Sequence, residues 1–259
     1  MSSTTASPSD PAVRAVARAD VLRTVVSTAR SLVAESRIEL DSDGLHLAAT
    51  DPATVASLRL SLAPGAFDHY DAGATTIGVD LERLADVLSL ADGDDLVAIS
   101  VDDSRGLLHV ECADLHYTLA LVDPDAIRSP PDPEKLQFDH AGGVRLDASD
   151  LTRVVRAAEM VSDHVDLELG DSNPVFRGTA DGDTDTATVT RDADDLHDAT
   201  PGDASATFSV SYLDDVVRVL PAAPVDLSLG EELPLELDYE IAEGHGTVEF
   251  LLSPRIRRN

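Results

Sequence analysis

Four amphipathic stretches recur along this 259-residue chain at matched spacing, and any fold open to it must place them equivalently. The first starts at Asp20, the expected N-cap, with Val21, Leu22, Val25, Val26, Ala29, Leu32 and Val33 forming one broad helical stripe. The second is DLERLADVLSLA, residues 80–91, and the third is SDLTRVVRAAEMV, residues 149–161. The fourth is SYLDDVVRVL, residues 211–220, stopped by Pro221. After each one the apolar period changes from helical to two. RIEL, LHLAAT and VASLRLSL follow the first, and LVAISV, LLHVEC and HYTLAL the second. VDLEL, VFRGTA and TATVTR follow the third, and VDLSL, PLELDYEI and GTVEFLL the fourth. Turns such as DSDG and DDSRG separate the alternating runs, the signal of hairpins.

The helix starts near residues 20 and 149 are 129 apart, and those near 80 and 211 are 131 apart. The spacing predicts an α+β chain of two similar halves, each holding two helix-plus-strands units. Between the halves lies VDPDAIRSPPDPEKLQFDHAGG, rich in Pro and Asp and without a period, as expected of a functional or disordered connector. The expected division is a flexible polar tail over residues 1–12, a first domain over 13–121, a connector over 122–143 and a second domain over 144–259. Residues 181–205 read as a strand followed by an acidic loop. Sheets of this extent leave edges that must be covered or paired, and two similar halves invite head-to-tail closure into a ring.

The charge is lopsided. Asp and Glu number 49 against 19 Lys and Arg, a formal net charge of −30, and Lys135 is the only lysine. Acids spread along the whole chain fit a surface kept hydrated in concentrated salt; the rival reading is a polyanion-repelling surface or an acidic mimic of nucleic acid. Aromatics are scarce and Trp is absent, so the core must come from Val, Leu, Ala and Ile. Cys112 is the lone cysteine, which leaves no disulfide within the chain and no Cys-based metal cluster, and its neighbours suggest a core strand. No apolar run reaches the ~18 residues of a membrane span. MSSTTASPSDPA lacks the apolar stretch of a signal peptide, so a soluble, cytoplasmic protein is expected.

An enzyme would need converging groups. The chain has no Gly-rich phosphate loop and no HExxH, and its eight histidines are scattered. SDH at 162–164 and FDHY at 67–70 are pairs that so acidic a chain produces by chance. DGDTD at 181–185 lacks the later Gly and closing Glu of a calcium loop. An acidic hydrolase using Asp181, Asp183 and Asp185 with a metal is the enzyme-class alternative, but no nucleophile or base converges with them. No cofactor, metal or catalytic residue is expected.

The arginines are more informative. From Val21 to Ala34 there is no acid, and Arg23 and Arg30, seven apart, share the face opposite the apolar stripe. Arg153 and Arg156 lie off the stripe of the third helix. Arg218 on the fourth shares its side with Asp214 and Asp215, and Arg83 on the second sits beside Glu82 and Asp86. Exposed helix faces ordinarily carry solubilising charge, but in this chain that would mean acids. Basic faces point to a polyanion contacted through its backbone, without base reading.

TDPATVASLRLSL (50–62), LALVDPDAIR (119–128), AAEMVSDHVDLEL (157–169), FSVSYLDDVVRVLP (208–221) and LPLELDYEIAEGHGTVEFLLSPRI (233–256) together resemble the PCNA-type DNA sliding clamps, above all haloarchaeal members. The resemblance covers roughly residues 13–256. It implies a DNA-clamp fold of two similar domains, and a homotrimeric ring around duplex DNA with helices lining the hole. It also implies a non-enzymatic processivity factor that tethers DNA polymerase, clamp loader, flap nuclease and ligase through short peptide motifs. The DNA-facing positions it implies are Arg23, Arg30, Arg83, Arg153, Arg156 and Arg218; Asp86 and Ser89 depart from the usual lysines of the second helix. The partner groove it implies is lined by Val55, Leu136, Phe138, Pro234, Leu251 and Pro254, with Val55 and Leu251 partly exposed. The subunit seam would pair an edge near Ala113–Leu119 with one near Thr184–Thr190 of the next subunit. The tail before Val13 also departs from the family, which suggests as an alternative a divergent paralogue in a mixed or repair-specific ring.

Overall fold

The structure is a computed structural model that describes residues 12–128, 138–170 and 175–255. Its first unit is Val13–Arg18 (β1), Ala19–Arg30 (α1), Glu35–Asp41 (β2), Gly44–Thr50 (β3) and Ala56–Leu62 (β4). After the short His69–Ala72 (β5), the pattern returns as Thr75–Asp80 (β6), Leu81–Leu88 (α2), Leu96–Asp102 (β7), Leu107–Cys112 (β8) and Leu115–Ala120 (β9). The second half gives Gly142–Asp147 (β10), Ala148–Glu159 (α3), His164–Gly170 (β11), Val175–Asp181 (β12) and Thr186–Asp192 (β13). Then come the three-residue Asp198–Thr200 (β14), Ala204–Ser209 (β15), Val210–Val217 (α4), Pro224–Leu229 (β16), Leu235–Ile241 (β17) and Gly246–Leu252 (β18).

Each unit is therefore strand, helix, three strands. The leading strands are hidden in the sequence because they pass into their helices with no breaker between. VRAVAR runs straight into α1, so its alternation merges with the helical stripe. One helix start and one helix end differ from expectation at α1 and α2. The N-cap of α1 is Arg18; Asp20 sits inside the first turn, where its carboxylate accepts from Val21 N at 2.8 Å and pairs with Arg18. α2 is shorter than residues 80–91, and here Asp80 is a genuine cap, accepting from Arg83 N at 3.0 Å. The segment 181–205 is also more ordered than a strand and loop: it holds β13, then β14 paired to β10, then the start of β15.

Among the described residues the strands form three antiparallel sheets. One is ordered β5-β1-β7-β8-β9 and another β13-β12-β11-β15. The third has nine strands, β14-β10-β16-β17-β18-β4-β3-β2-β6, and crosses from one half of the chain to the other. Its crossing point is the ladder between β4 and β18, running from Ala56 opposite Leu252 to Leu62 opposite Gly246. Leu58, Leu60, Leu62, Val248, Phe250 and Leu252 are buried along that ladder, which locks the halves into one body. The apolar stripes of the helices complete the core, with α1 packed on α2 and α3 on α4. Cys112 is buried in β8; burial and the nearby Asp95 carboxylate push its thiol up.

Most sheet edges are short or covered. Gly78 on β6 bridges to Val122, and a Cβ there would stand 2.5 Å from the Val122 carbonyl oxygen, so this crossing requires glycine. The edge of β15 receives Arg255 N on Thr207 O at 2.7 Å and Glu232 N on Ser205 O at 3.2 Å. β9 and β13 remain as six- and seven-residue edges with largely outward-facing side chains. Such edges are templates for another chain.

Candidate functional site

The arginines fall into two groups. Arg30 on α1, Arg83 on α2, and Arg153 and Arg156 on α3 are exposed and make no ion pair among the described residues. Arg218, at the C-cap of α4, is exposed but pairs with Asp214 and Asp215 on its own helix. Arg23 differs from the expected exposed position: it is half-buried, and its guanidinium donates to the Ala91 carbonyl just past α2. The Ala91 carbonyl lies in the turn that follows α2, where no helical ladder supplies it with a donor, and the α1–α2 packing brings Arg23 within reach.

At the second candidate site, Val55, Phe138, Pro234 and Leu251 come together around a recess of about 70 Å³. Val55 comes from the turn between β3 and β4, Phe138 from the connector, Pro234 from the residue before β17 and Leu251 from β18. Both halves of the chain and the connector thus contribute walls. Leu251 is 6 % exposed, so it forms the floor instead of a partly exposed wall, as its place in the central β18 requires. Pro254 does not line the recess. Leu136 lies outside the described residues.

Phe138 is held near β17 through its neighbour. His140 Nε2 donates to Pro234 O at 2.9 Å, and His140 Nδ1 lies 3.4 Å from Glu236. Ser253 N donates to Val55 O at 2.8 Å, tying the exit of β18 to the loop. Arg128, in the first part of the connector, donates to Pro52 O at 3.3 Å and to Thr54 Oγ1 at 3.1 Å. Neither Arg128 nor Asp51, whose carboxylate accepts from three loop amides, stood out as a site residue in the sequence. The Asp-Pro at 51–52 carries the local signal of a side-chain-capped turn, which could have marked Asp51.

The enzyme-class alternative does not assemble. Among the described residues, Asp181, Asp183 and Asp185 do not converge, and the Asp181 carboxylate accepts from Thr186 Oγ1 at 2.9 Å. The three acids whose oxygens do approach within 4.8 Å of one another are Glu236, Asp238 and Glu249, on β17 and β18. No described helix is long and apolar enough to cross a membrane.

Four strand–helix–strand units in two halves, with two open sheet edges and exposed arginines on the helices, define the two-domain architecture of a sliding clamp. Comparison with known proteins agrees. The sequence model described as proliferating cell nuclear antigen, N-terminal domain, matches residues 14–116, and its C-terminal counterpart matches residues 134–255. The chain is 40 % identical over 245 residues to the DNA polymerase sliding clamp of Natronomonas pharaonis, covering 94 % of this chain and 98 % of that protein. It is likewise 40 % identical over 244 residues to the sliding clamp of Haloarcula marismortui, with the same coverage. A solved structure of A. fulgidus PCNA with the C-terminal region of FEN-1 bound superposes with a TM-score of 0.88 at 31 % identity, covering 95 % of this chain and all of that one. The chain belongs to the PCNA family of sliding clamps, which are non-enzymatic scaffolds.

Proposed function

We propose that three copies of this chain close into a ring around duplex DNA through β9 of one subunit and β13 of the next. Clients then dock at the recess formed by Val55, Phe138, Pro234 and Leu251. The observation that carries this reading is the set of unpaired arginines. In a chain of net charge −30, Arg30, Arg153 and Arg156 sit exposed on α1 and α3, the equivalent helices of the two halves, without an acidic partner among the described residues. A solubilising face would carry acids; a face kept cationic serves an anion from outside, here the phosphate backbone. Arg83 and Arg218 belong to the same proposed surface, with Arg218 tempered by its two aspartates.

The mechanism follows from topology. A closed ring is retained because escape requires opening a seam, so the DNA contacts need only be weak. Contacts with phosphates alone permit sliding. In molar salt the Debye length is about 3 Å, and only arginines close to phosphates act at all. Acidic outer surfaces discourage DNA from binding outside the hole. A flap nuclease, polymerase, ligase or clamp loader carrying a short motif with apolar anchors would insert it in the recess, which raises its local concentration at the template. The bound C-terminal region of FEN-1 on the A. fulgidus relative supports this for the flap nuclease. The test is topological: once loaded on a nicked circular duplex, the protein should co-elute with the DNA and be lost when the circle is cut. Equal retention on circular and linear DNA would contradict an encircling ring.

A further inference from the structure

We infer that Asp51 is the positioning residue of the partner recess, held in place by Tyr212 from the other half of the chain. This rests on the reading of the recess as a client site. Asp51 is 4 % exposed, between β3 and β4. Its Oδ1 accepts from Val55 N at 2.6 Å and Ala56 N at 2.7 Å. Its Oδ2 accepts from Ala53 N at 2.8 Å and from the Tyr212 hydroxyl at 2.9 Å. The Asp51 backbone adds two bonds, donating to Ala56 O and accepting from Thr54 N, both at 3.0 Å. One side chain therefore closes the whole turn over residues 51–56, including Thr54 at a φ of 62°.

Burial alone would raise the carboxyl, but the three backbone donors and Tyr212 outweigh it, and the group is held below its ordinary value. The turn is built around the charged form. Its product is the placement of Val55, whose carbonyl anchors Ser253 and whose side chain lines the recess. The connector depends on the same turn through the two hydrogen bonds of Arg128.

A turn that served folding alone would be complete with its three backbone donors. The fourth donor comes from α4, 161 residues further along the chain. Pro234 and Leu251, which line the recess with Val55, belong to that same second half. The Tyr212 bond therefore joins the Ser253–Val55 hydrogen bond and the β4–β18 ladder in fixing Val55 relative to Pro234 and Leu251, and with it the width of the recess.

The experiment is a peptide titration at high salt, using a synthetic C-terminal FEN-1 segment of A. fulgidus, on wild type, Asp51→Asn, Tyr212→Phe and the recess control Phe138→Ala. Amide hydrogen exchange is measured in parallel. Asp51→Asn should weaken the peptide by about tenfold or more, the scale of a lost hydrogen bond to a charged group. Exchange should rise at the amides of Ala53, Val55 and Ala56, with unchanged oligomeric mass. Tyr212→Phe should weaken the peptide severalfold at temperatures far below unfolding, where a merely structural role would leave affinity unmoved. If Asp51→Asn does not fold, Tyr212→Phe, which removes one hydroxyl, decides the matter. Wild-type affinity in Tyr212→Phe and Asp51→Asn, with loss in Phe138→Ala, would overturn the positioning role while leaving the recess intact. Wild-type affinity in Phe138→Ala as well would overturn the recess itself.

Discussion

Arg23 on α1 donates to the carbonyl of Ala91, just past the end of α2, and so ties together the two helices of the first half. In the second half, Arg153 and Arg156 on the equivalent α3 make no such internal bond among the described residues. Residues of one type on matching helices thus divide into a structural arginine and arginines open to a partner. Arg23→Ala should leave an uncapped carbonyl and cost on the order of 1–2 kcal/mol, read as a drop of a few degrees in thermal midpoint. Polymerase stimulation measured well below that midpoint should stay near wild type.

Arg153→Glu with Arg156→Glu should do the opposite. Neither side chain supports the core, so the thermal midpoint and oligomeric mass should hold. Polymerase stimulation should fall by about fivefold or more, equally on templates of any sequence, because phosphate contacts carry no sequence information. Unchanged stimulation would remove these residues from the DNA-facing surface.

Phe138→Ala combined with Leu136→Ala should weaken client peptide binding by about tenfold, since a few apolar anchors dominate such pockets. Phe138 is half-buried at the recess, which makes it a cleaner probe than Leu251. Leu251→Ala would empty the buried floor and cost roughly 2–5 kcal/mol of stability on its own.

The fold was largely legible in the sequence, because a helical stripe and an alternating run differ in period and the fourfold repeat checks each against the others. The strands leading into the helices were not, since VRAVAR and ASATFS merge into the helical pattern with no turn residue to separate them. Candidate site residues were legible only by type. That Arg23 would be engaged depends on Ala91, 68 residues away, and that Asp51 would organise the recess depends on Tyr212, 161 residues away. A single chain of letters carries no sign of such long-range bonds.

Asp238 on β17 supplies a pH dependence. Burial pushes its carboxyl up to about 7, with Glu236, Glu249 and Asp226 adding to the shift and Arg59 opposing it. The native state therefore keeps a proton that the unfolded chain releases near the ordinary value of 3.8. The contribution of this group to stability should fall as pH rises from about 4 to 7 and level off above. Asp238→Asn should raise the thermal midpoint by a few degrees at pH 8 and by much less at pH 5. Concentrated salt should shrink the part due to the neighbouring acids and leave the part due to burial.

The central claim is that the chain closes a ring with copies of itself through its open β9 and β13 edges. Small-angle scattering with light scattering in multimolar salt measures this directly. The expected result is a particle of three times the 27.3 kDa chain mass with a central hole, reduced to smaller species when Thr188→Pro removes a donor from the open side of β13. A compact 27.3 kDa particle at every protein concentration would contradict it.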